Sequence, residues 1–153
     1  MTKIIGSDHP LTTRQRATLD SLLNLMVPAS HDGRMPSAAD VGFETWLADV
    51  SPELLPDLAR GLDDVDAWSR DKLGTALPGQ LAEDRLQDLR TSHAGFLDRL
   101  AREVMACYYQ APAVLSALGA RPGPPFPAGN QVEPGDLSLL EPVIARGKIY
   151  RDI

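Results

Sequence analysis

The sequence predicts an all-α fold, an irregular bundle of about five or six helices with an extended Pro/Gly-rich C-terminal arm. Three observations predict it. Apolar residues recur at intervals of three and four through most of the first 119 residues; Ser, Thr, Pro and Gly mark successive starts and stops; and the composition turns rich in proline and glycine after Gly119. Residues 1–119 are assigned to the helical domain and residues 120–153 to the arm, which packs on that domain, on a partner, or on both.

The first helix opens at Leu11-Thr12-Thr13, where a threonine can cap the free amides and Gln15 or Arg16 enters the first turn. Leu19, Leu22, Leu23 and Met26 form one apolar stripe, and Pro28 marks the stop. Residues 27–36 hold two prolines, a glycine and short polar side chains, which fix or free φ and bond the local backbone, so a loop is expected. Ser37 caps a second helix through about Val50, with Asp40 three residues on as a capping-box acid. Ser51-Pro52-Glu53 is a stronger start, combining a serine cap, a proline in the first turn and an acid at the positive end of the helix dipole.

That third helix carries Leu54, Leu55, Leu58, Leu62, Val65 and Trp68 at helical spacing and is closed by Gly74. After the Leu77-Pro78-Gly79 turn, an amphipathic helix is expected from Gln80 to about Leu89 or Arg90, and another from about Thr91 or Ser92 to Gln110. The broad apolar face of the latter, from Phe96 to Tyr108, suits the centre of a bundle. Pro112 to Gly119 gives one or two further turns. Beyond them, residues 119–130 contain four prolines and three glycines, which exclude a helix interior or a central strand. Residues 136–147 regain apolar side chains, with a helical turn expected before Pro142.

At 153 residues the chain is long enough for one real core without disulfides or metals, burying roughly 68–70% of its unfolded surface. A net charge of −6, a pI near 4.9 and scattered basic residues exclude nucleic acid as a partner, because phosphate binding needs clustered Lys and Arg. No run approaches the ~20 apolar residues a membrane helix requires, so direct membrane insertion is not expected. The lone Cys107 lies in an apolar helical stretch and reads as a small buried hydrophobe. The first ten residues show no twin-arginine pair, apolar run or cleavage site, so the expected location is cytoplasmic, with export left to a signal carried by a partner or already removed.

His9, His31 and His93 are too far apart in sequence to place two imidazoles on one helical face, and no metal site is expected. Asp63, Asp64 and Asp66 read as a solvated face, since a calcium loop needs a glycine-bent array of oxygens. His31-Asp32, with Arg34, reads as loop surface, with a small enzyme built on these residues as the sharper alternative. No phosphate-binding glycine loop and no nucleophile elbow occurs, so no catalytic and no cofactor-binding residue is assigned. The tail is too apolar for an ordinary linker, with Phe126, Val132, Leu137, Leu139, Leu140, Val143, Ile144, Ile149 and Tyr150 as isolated anchors.

Several segments in order carry a family resemblance: Leu11-Thr-Thr-Arg-Gln-Arg-Ala-Thr-Leu19, the loop from Met26 through Ser-His-Asp-Gly to Val41, Tyr108-Tyr-Gln-Ala-Pro to Gly119, Pro124-Pro-Phe-Pro127, and Pro142-Val-Ile-Ala-Arg-Gly-Lys-Ile-Tyr-Arg151. Over almost its whole length the chain resembles the gluconate 2-dehydrogenase subunit 3 family, small subunits of glucose–methanol–choline-type flavoenzymes. The resemblance implies a subunit with no redox centre of its own that stabilises, matures or escorts a large subunit bearing FAD and oxidising a sugar or alcohol. It also implies a cytochrome subunit as the next electron carrier. Tyr109, Pro125, Phe126, Tyr150 and Arg151 are the expected partner contacts, since aromatics and arginine dominate buried interfaces. The competing expectation is a homo-oligomeric helical binding module using the apolar face at 96–108.

Overall fold

The computed structural model describes residues 10–120 and 136–147. Among these residues the chain is all-α, with seven α-helices, three 3₁₀ turns and no strand. It divides into two compact units, Met1–Pro122 and Gly123–Ile153.

The first unit begins with α1 (Thr13–Met26), whose start is a complete capping box. The Thr12 hydroxyl accepts from the Gln15 amide at 3.3 Å, while Gln15 Oε1 accepts from the Thr12 amide at 2.9 Å. The expected single helix from Ser37 to Val50 is two pieces, a 3₁₀ turn (Ala38–Val41) and α2 (Phe43–Val50). Ser37 and Asp40 do form the capping box, but Gly42 between the pieces adopts φ +74°, a left-handed conformation that breaks the helical ladder. Pro52 opens a second 3₁₀ turn (Pro52–Leu54) that leads into α3 (Leu55–Leu73), and Gly74 ends α3 at φ +72° with its amide on the Arg70 carbonyl.

Helix α4 (Glu83–Ser92) starts later than its apolar pattern suggests. Its first turn carries Glu83 and Asp84, which favour the positive end of the dipole, whereas residues 80–82 stay outside the helix, with Ala82 extended. His93 separates α4 from α5 (Ala94–Tyr108), with φ −126° and ψ 25° outside the helical region. Helix α6 (Pro112–Ala117) starts on proline.

The core collects the stripes of these helices: Leu19, Leu22 and Leu23 of α1, Phe43 and Leu47 of α2, Leu62 and Val65 of α3, Leu100, Val104 and Cys107 of α5, and Val114 of α6. Helix α5 packs against α2, α4 and the first 3₁₀ turn. It also lays the Phe96 ring over Gly61 of α3, where a β-carbon would overlap the ring. The Tyr108 hydroxyl donates to the Pro36 carbonyl at 2.8 Å, tying the end of α5 to the loop after α1.

In the second unit, a 3₁₀ turn (Leu137–Leu140) runs into α7 (Glu141–Arg146). Asp136 Oδ1 caps the turn by accepting from the Ser138 amide at 3.0 Å, and Pro142 sits in the first turn of α7 instead of ending a helix. All twelve described residues of this unit are exposed, Leu137 at 75% and Ile144 at 72%. The stretch 121–135, read from the sequence as extended chain, lies outside the described residues. No described helix is long and apolar enough to cross a membrane.

Candidate partner-binding surface

Helix α5 sends one side into the core and leaves the other facing out. Leu97, Leu100, Val104, Cys107 and Tyr108 are buried, whereas Asp98, Arg102, Met105 and Tyr109 stay exposed. Burial raises the Cys107 thiol above its ordinary pKa, and burial first, then the neighbouring Tyr109, raises the Tyr108 phenol. Both groups are therefore neutral packing elements near neutral pH.

An apolar furrow runs along each flank of α5. The first, about 440 Å³, lies between α1, α4 and α5, with walls from Leu22, Leu25, Met26, Leu86, Leu97 and Met105 and with Arg90 and Asp98 as its charged members. Its α5 side is low because Ala94 and Ala101, two helical turns apart, present only methyl groups. The second is a cleft of about 190 Å³ between α2, α3 and α5, floored by Phe43, Leu47, Leu58, Phe96 and Leu100, with Leu54, Asp57, Arg99, Arg102 and Glu103 completing it.

Tyr109, an expected contact, follows Met105 by one turn, and its amide bonds the Met105 carbonyl at 3.1 Å. It is 55% exposed, against 40% for Met105, and meets the Tyr108 ring edge-on at a centroid distance of 5.5 Å. The first furrow thus has Met105 in its wall, and an exposed aromatic ring in edge contact with a buried one follows one turn later. The other expected contacts, Pro125, Phe126, Tyr150 and Arg151, lie outside the described residues.

The loop carrying His31, Asp32 and Arg34 folds on itself. Asp32 accepts from the Ser30 hydroxyl at 2.6 Å, the Arg34 amide at 3.1 Å and Arg34 Nε at 2.8 Å, and the Ser30 hydroxyl in turn accepts from the Met35 amide at 2.9 Å. Led by the Ser30 hydroxyl, these bonds lower the Asp32 pKa. The Asp32 carboxylate is thus engaged in holding the turn, and His31 is an exposed residue beside it. His93, far from this loop in sequence, meets the buried Trp68 edge-on at 6.1 Å. Among the described residues no group of three or more His, Cys, Asp and Glu side chains could hold a metal ion.

The acidic cluster departs from the expected solvated face. Asp63 and Asp64 are exposed, but Asp66 is buried, with Oδ2 at 2.9 Å from Arg70 Nε and 3.5 Å from Arg14 Nε. Asp63 accepts from Gln15 Nε2 at 3.0 Å, so the cluster joins α1 to α3. The spacing of Asp66 and Arg70, four apart on one helix, was the available signal; Arg14 comes from a different helix and left none. No family model matches the chain, and neither a curated protein nor a solved structure matches it.

Proposed function

We propose that the chain is a non-catalytic small subunit that stabilises, matures or escorts an FAD-dependent sugar or alcohol oxidoreductase, with FAD held by the large subunit. One observation carries the binding part of this reading: α5 is flanked by two apolar furrows and ends on the exposed pair Met105 and Tyr109. Furrows beside a helix are what the side-chain ridges of a second protein pack into, and a methionine lining suits an adaptable contact. The identity of the partner rests on the family resemblance of the sequence landmarks. A cytochrome subunit would then accept electrons from the large subunit, not from this chain.

The test is co-expression of the tagged chain with the flavoprotein encoded beside it, followed by size exclusion and an absorbance spectrum. A yellow co-eluting complex is expected, weakened by Met105→Glu and by Tyr109→Ala. A colourless chain that elutes alone overturns the reading. The same apolar face supports a second reading, a homo-oligomer, for which light scattering of the lone chain would give a multiple of the monomer mass.

A further inference from the structure

The cleft between α2, α3 and α5 differs from the larger furrow in volume, lining and charge. An apolar cavity of about 150 Å³ lined by Leu, Ile and Phe is dry when empty and accepts a benzene ring. At about 190 Å³ this cleft has room for one such ring. Phe43 and Phe96 both line it, and aromatic pairs gain from offset or edge-on contacts. Phe96 itself is set by its seat over Gly61, where any side chain would displace it.

The charges of the cleft are unevenly committed. Asp57 is ion-paired to Arg60, a residue of its own helix. Arg99 and Arg102, three apart on α5 and both exposed, have no ion-pair partner among the described residues. Against them stands one uncommitted acid, Glu103. The balance left over favours a carboxylate, which arginine binds through well-directed N–H groups. An apolar cleft open on one side and bordered by charged residues is the anatomy of an interface anchor site.

We propose that this cleft is a socket for one aromatic side chain of the large subunit, presented beside a carboxylate that Arg99 and Arg102 receive. The source of the side chain rests on the small-subunit reading; the binding preference of the socket does not. The probe pair is 3-phenylpropanoate and 3-phenylpropylamine, which share a ring and differ in charge. Each is titrated into the isolated, isotope-labelled full chain, with the ring resonances of its three phenylalanines as the readout.

Saturable shifts at Phe43 and Phe96 are expected, with the carboxylate probe about tenfold tighter than the amine, the equivalent of one charge-assisted bond. Arg99→Ala with Arg102→Ala should erase that preference and leave ring binding, and Leu54→Trp should fill the mouth and remove both. Absence of saturable shifts at Phe43 and Phe96 with either probe, in a chain that melts cooperatively, overturns the socket. So does an equal affinity for the two probes. In the co-expressed complex, Arg99→Glu with Arg102→Glu should weaken co-elution at least about tenfold, since like charges brought together at the interface repel the partner's carboxylate. If the wild-type complex forms and this variant binds equally well, the assigned occupant is wrong while the small-subunit reading stands. If no complex forms at all, that reading falls and takes the assigned source of the side chain with it.

Discussion

Single side chains hold the joints of this bundle. Tyr108 is the clearest, because its ring is buried in the core while its hydroxyl satisfies the Pro36 carbonyl across 72 residues of sequence. Tyr108→Phe removes the donor and keeps the ring, so urea unfolding should lose about 1 kcal/mol with an unchanged m-value. The same burial sets an alkaline limit. Cys107 and Tyr108 are raised above ordinary values of 9.0 and 10.0, so the unfolded chain loses these protons first and stability falls as pH rises from about 9 towards the folded-state values. The urea midpoint should therefore drop between pH 8 and 11, and Cys107→Ala should remove the earlier part of the drop. Gly61 marks another joint: Gly61→Ala should cost about 1–3 kcal/mol by overpacking against Phe96, despite the gain of up to about 1 kcal/mol from helix propensity. In a Phe96→Ala background that propensity gain is all that remains, so the same substitution should stabilise, a sign change that a double-mutant cycle reads directly.

At the scale of elements, local chemistry decides where helices begin, and distant packing decides where they break. Thr12→Ala removes one half of the α1 capping box and should lower stability by about 1 kcal/mol, seen as an earlier thermal midpoint and increased amide exchange in the first turn of α1. This start was legible in the sequence because Thr12, Gln15 and the stripe Leu19, Leu22, Leu23 and Met26 lie within one short window. Gly42 was not legible. It lies inside a run of helical spacing just as Gly61 does, yet Gly42 turns left-handed and splits its element while Gly61 remains in α3 to admit the Phe96 ring. Neither outcome is encoded in the neighbouring residues, since a helical glycine costs little and a left-handed one costs nothing in side-chain strain. Asp66 and the two furrows escaped for the same reason: Arg14 comes to Asp66 from another helix, and each furrow needs three helices in register. The α5 face was foreseen as apolar, but its division into a buried side and two open flanks follows from packing against α2 and α4.

For the whole molecule, the distribution of burial separates what folds the chain from what it offers to others. Every buried apolar residue among the described ones lies between Leu11 and Val114, whereas residues 136–147 place Leu137, Leu139, Leu140, Val143 and Ile144 in solvent. Five large apolar residues exposed within eight positions are a concentration of apolar surface, and covering it on a partner returns the hydrophobic free energy that exposure forgoes. A chain ended at Pro122 keeps all of the described core. It should therefore unfold in one cooperative transition, with a midpoint within about 4 °C of the full chain, a difference of roughly 1 kcal/mol for a domain of this size. The same truncation removes Phe126, Tyr150 and Arg151 together with those exposed apolar residues, so co-elution with the flavoprotein should fall at least about tenfold, the equivalent of about 1.4 kcal/mol, less than one large side chain contributes when fully buried. Calorimetry and size exclusion on one pair of samples check both halves. A lowered midpoint with intact co-elution would make residues 123–153 a strap for their own chain; an unchanged midpoint with lost co-elution makes them the arm that holds the large subunit.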